Sequence, residues 1–71
     1  MKLELTLYQK TDSSMKKLYR LTKYCSRRSA YDRIDQLIQM AEEYAGRHNL
    51  IIRENKRRES SESIEIDAVV A

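Results

Sequence analysis

The sequence predicts a small α+β fold, a single domain over residues 1–71 in the order β-α-α-β-β, with a three-stranded sheet and two helices packed on one of its faces. Three observations predict it. Leu3, Leu5 and Leu7 alternate with Lys2, Glu4, Thr6 and Tyr8. Apolar side chains then recur at helical spacing from Met15 to Ala45. Two stretches rich in β-branched residues close the chain, Leu50 to Arg53 and Ser63 to Val70. At 71 residues the chain is below the usual size of one domain, so a second domain is excluded and the core must be small.

The alternation at the start is the period of a strand with one buried face, over residues 2 to 9. Thr11-Asp12-Ser13-Ser14 offers side-chain oxygens to the orphan N–H groups of a helix, which should begin near Ser14. At 100° per residue, Met15, Leu18, Tyr19, Leu21, Thr22, Cys25 and Ser26 fall in one arc. The opposite arc collects Lys16, Lys17, Arg20, Lys23, Arg27 and Arg28 around Tyr24. Past Arg28 the apolar stripe, now Ile34, Leu37, Ile38, Ala41, Tyr44 and Ala45, turns by about 120°, so one straight helix cannot bury both stripes. Ser29 with Asp32 three residues later resembles a capping box and starts a second helix. Gly46, the only glycine, ends that helix near Ala45. The last two stretches read as a hairpin turning near Glu59-Ser60-Ser61, with Arg53 opposite Glu65 or Asp67 and Ile52 opposite Ile66 or Ala68.

The net charge of +3 hides alternating blocks. Residues 10 to 33 carry a net +6, residues 34 to 46 a net −3, residues 47 to 58 a net +4 and residues 59 to 71 a net −4. Segregated charge of this kind prefers an oppositely charged partner. The longest apolar runs, Leu50-Ile51-Ile52 and Ala68-Val69-Val70-Ala71, are far too short for a membrane span or a signal-peptide core. With a lone Cys25 they point to a soluble, cytoplasmic protein that is not secreted and has no membrane partner. One cysteine and one histidine cannot complete a structural zinc shell, so neither metal nor cofactor is expected. A marginal core gives weight to self-association as a homodimer or to partner binding.

No catalytic constellation stands out. Cys25 lies in the apolar arc, where unpaired cysteines are ordinarily buried, and His48 falls in a connecting loop. Adjacent Glu42 and Glu43 diverge by 100° on a helix, poor geometry for flanking one reacting bond. A single glycine rules out a glycine-rich phosphate loop. Tyr19 and Tyr44 lie on apolar arcs, whereas Tyr8, Tyr24 and Tyr31 do not and are candidate anchors. The candidate binding residues are therefore Lys16, Lys17, Arg20, Lys23, Tyr24, Arg27 and Arg28 on the first helix, with Arg53, Lys56, Arg57 and Arg58 at the hairpin tip. The expectation is a non-catalytic adaptor or inhibitor of a protein or nucleoprotein target such as nucleic-acid-handling machinery. That is the general character of small regulators of bacteria, phages and mobile elements. The alternative is direct nucleic-acid binding through the basic first helix and the hairpin tip.

Overall fold

The structure is a computed structural model describing residues 1–70; Ala71, the last residue of the expected domain and of its apolar run, lies outside the described residues. The elements are β1 (Lys2–Lys10), β2 (Met15–Tyr24), a 3-10 turn (Arg27–Ser29), α1 (Ala30–Arg47), β3 (Ile52–Glu59) and β4 (Ser63–Val70). They form a four-stranded mixed sheet in the order β2-β1-β4-β3. β1 and β4 run parallel in the middle, and each outer strand is antiparallel to its neighbour. The α+β class stands, but the expected three strands and two helices are corrected to four strands and one helix.

The error lies in residues 15 to 24. Thr11 and Ser14 do not open a helix; they clamp a hairpin turn. The Thr11 N–H donates to the Ser14 carbonyl at 2.8 Å, and the Ser14 N–H donates to Thr11 Oγ1 at 3.0 Å. This turn returns the chain along β1, so Leu5 faces Leu21 and Leu7 faces Tyr19. Tyr19, Thr22 and Tyr24 suit a pleated surface. The pairing register shifts between Leu7 and Tyr8, which leaves Leu18 as an extra residue in β2. Leu18 and Tyr19 therefore both reach the core side. An adjacent apolar pair followed by Leu21 imitates a helical stripe, and the periodicity could not separate the two.

The second expected helix exists as α1. Its buried face is Ala30, Ile34, Leu37, Ala41 and Ala45, the spacing of a core-facing stripe. Both of its termini differ from expectation. Ser29 precedes the helix but makes no side-chain cap bond; its Oγ meets Ser26 Oγ at 3.1 Å instead. Gly46 is inside the helix, and the left-handed residue is Asn49, at φ 59°. The Asn49 N–H donates to the Gly46 carbonyl and the Leu50 N–H to the Ala45 carbonyl, the two bonds of a Schellman ending with Asn in the place more often held by Gly.

The C-terminal hairpin is real, but its first strand runs on through eight residues to Glu59. Ile52 faces Val70 rather than Ile66 or Ala68, and Arg53 sits at a register shift rather than across from Glu65 or Asp67. Leu3, Leu5, Ile64 and Ile66 pack with Ala30, Ile34, Leu37 and Ala41 in one cluster, and Leu7, Ala68, Val70 and Ala45 form a second. The result is a slab of 38 × 24 × 15 Å, one helix laid over one face of the sheet.

Candidate functional site

Because the pleat alternates, the residues of β1 that do not point at α1 define an open sheet face: Lys2, Glu4, Thr6 and Tyr8. Register carries this face across the sheet in rows. From the β3 edge to the β2 edge they read Arg58, Glu65, Glu4, Thr22; then Lys56, Asp67, Thr6, Arg20; then Glu54, Val69, Tyr8, Lys17. Tyr24, opposite Lys2, ends the face and is 76% exposed. Thr6, 3% exposed, and Val69, 8% exposed, are closed over without any helix above them.

Glu4, Glu65 and Asp67 on the two central strands are flanked by Lys17 and Arg20 on β2 and by Lys56 and Arg58 on β3, with Lys2 on β1 and Glu54 on β3 breaking the pattern. Arg58 spans two of the acids, donating from Nη1 to Asp67 at 2.7 Å and from Nη2 to Glu65 at 3.0 Å. Its hydrogen bond to Asp67, followed by that to Glu65, raises its pKa above the ordinary arginine value. Glu4 is shared by Lys2 at 3.2 Å and Arg20 at 3.6 Å. The hydrogen bond to Glu4 is also the main reason that the Lys2 pKa is raised. The central acids are thus largely neutralised from inside the domain.

The expected basic helix face is not present, and its residues divide between the two sides of β2. Lys17, Arg20 and Tyr24 stand on the open face, while Lys16 and Lys23 stand on the helix side opposite Gln9 and Leu3. Among the described residues, Lys16, Lys17 and Lys23 have no ion-pair partner. Arg27, in the 3-10 turn, donates to the Ser61 carbonyl at 2.7 Å and so ties that turn to the β3–β4 loop. Arg28 is exposed beside it.

The second basic cluster is also relocated. Arg53, Lys56, Arg57 and Arg58 lie along β3, not at a hairpin tip. Lys56 and Arg58 face the open side, and Arg57 pairs with Glu59 at 3.7 Å. β2 and β3 are opposite edges, three strand spacings or about 14 Å apart. The two clusters therefore do not merge into one broad basic patch.

Tyr8, Met15, Val69, Asp67, Lys56, Glu54 and Asn55 line a shallow depression of about 450 Å³ at one end of the open face. Met15, expected in a helical core arc, joins this face, and the acids Glu4, Glu65 and Asp67 were not among the candidate binding residues. The alternation of β1 signalled that such a face exists, but the rows depend on pairing. Cys25 packs beside the first core cluster, which contains Ala30 at the start of α1. His48 lies against Tyr44 at the other end of α1, a separation no nucleophile–base hydrogen bond spans. No helix among the described residues is long and apolar enough to cross a membrane. Comparison with protein-family models, with curated proteins and with solved structures gives no match.

Proposed function

We propose that the domain is a non-catalytic adaptor or inhibitor that engages a protein or nucleoprotein target through the uncovered sheet face and its β2 edge. One observation carries this reading. β2 combines an edge without a strand neighbour, three lysines without internal acids and an exposed terminal Tyr24. Exposed tyrosines are frequent anchors of protein interfaces, and the lysines beside Tyr24 steer an acidic partner to it. The shallow depression beside Met15 and Tyr8 gives the face a place for a partner side chain.

Direct nucleic-acid binding is the second reading, supported by the exposed Lys16, Lys17, Lys23 and Arg28, which have no ion-pair partner among the described residues. The carboxylates Asp32, Asp35, Glu42 and Glu43 on α1 weigh against it, because they repel a polyanion lying broadly on the domain. Affinity capture from the native host, with and without nuclease, tests the choice. A partner that survives nuclease and is lost with Tyr24→Ala supports the first reading. Capture that vanishes with nuclease, together with oligonucleotide binding that falls steeply between about 50 and 200 mM salt, supports the second.

A further inference from the structure

We infer that β2 accepts an extended acidic segment of a partner protein as a fifth strand of the sheet. This rests on the protein-binding reading above and names the chemistry of the partner. β2 is ten residues long, about 33 Å of edge, and only β1 pairs with it. Its outward N–H and C=O groups form a ladder that an extended peptide completes, and side chains then decide which peptide.

Charge makes that choice. β2 carries Lys16, Lys17, Arg20 and Lys23 and no acid. Lys16 and Lys23 project on the helix side, Lys17 and Arg20 on the open face. A strand laid beside them meets cations on both of its own faces, so its best match is a run of acids rather than an acid at every second position. A second copy of the chain is a poor occupant, since β2 against β2 sets three unpaired lysines, beside an Arg20 already on Glu4, against the same set. β3 is the weaker edge for this purpose. Its Arg57 and Arg58 are already committed to Glu59, Glu65 and Asp67, and it contains two acids of its own. Nucleic acid has the charge but no peptide backbone to continue the ladder.

The full chain, labelled with 15N, is titrated at about 50 mM salt, where screening is weak. The probe is a peptide of about twelve residues, long enough to span β2, built of Glu with Thr and Val. Two further versions are N-methylated at opposite alternate residues, and a single-stranded oligonucleotide of similar charge completes the set. The inference expects shifts in β2 amides, slowed hydrogen exchange at every second β2 amide, and loss of binding for only one methylated peptide. Lys17→Glu with Lys23→Glu, both exposed positions, should weaken the unmodified peptide about tenfold. Silent β2 amides at millimolar peptide overturn the inference. Equal binding of both methylated peptides does so too, because charge without a ladder then suffices, as does tighter binding of the oligonucleotide. If β2 stays silent while nuclease-resistant capture is unaffected by the two reversals, strand addition fails and the protein-binding reading survives. Capture abolished by nuclease removes that reading itself.

Discussion

Asn49 and Gly46 show how a residue's role depends on its backbone conformation rather than its type. Gly46 is helical and a Cβ added there meets nothing within 4 Å, so Gly46→Ala should stabilise the domain by about 0.5–1 kcal/mol. If Gly46 instead held the left-handed end, the same change would destabilise. Asn49→Val, with a β-branched side chain at φ 59°, should cost about 1–2 kcal/mol. Urea denaturation of both variants checks the pair. In the core, Leu5 is 1% exposed, and Leu5→Ala should cost about 3–5 kcal/mol, a large share of what so small a domain has. Leu21 and Ile38 look equally central in the sequence but are only half-buried, so each should cost about half as much. Ser29→Ala and Ser26→Ala should have similar small effects, because their hydroxyls bond each other instead of capping α1. A markedly larger loss at Ser29 would restore the capping role.

At the scale of the element, β2 is the segment where local pattern and global pairing diverge. One of its links to α1 is the stack of Tyr19 on Tyr44, with ring centroids 4.4 Å apart and planes at 1°. A double-mutant cycle with Tyr19→Ala and Tyr44→Ala should give a coupling of about 0.5–1.5 kcal/mol. Zero coupling would mean that the two rings do not meet in solution and that β2 lies elsewhere. Both tyrosines are expected as core residues from sequence, but the helical reading of Tyr19 assigned it to the wrong kind of element. α1 was legible because eighteen residues with a sustained stripe leave no competing period. β3 was hidden for the opposite reason: from Arg53 to Glu59 it has no apolar residue, and an exposed edge strand needs none.

For the whole molecule, the sheet order decides what the charges do. Cations line both edge strands, β2 and β3, and like charge of this kind disfavours edge-to-edge pairing of copies. Replacing Lys16, Lys17 and Lys23 together by Thr should leave the fold intact and produce concentration-dependent association, read by sedimentation. A variant that stays as monodisperse as the parent would show that these lysines are not needed to keep the edge apart. Arg58→Gln should destabilise the domain, since Asp67 and Glu65 then lose their shared cation beside Glu4. Added salt should shrink that loss, because these groups are partly exposed and screened.

By itself the sequence determined the class, the one long helix with its buried face, the first and last strands, and the positions of charge along the chain. These are local properties, written in periods of 2 and 3.6 and in residue type. The tertiary structure decided that residues 15 to 24 form a strand and that β1 and β4 lie together in parallel. It also set the two basic clusters at opposite edges, with acids between them. The physical reason is that the backbone of a strand is satisfied by a partner distant in sequence. Tyr19 and Leu21 take a strand conformation because Leu7 and Leu5 are there to pair with them.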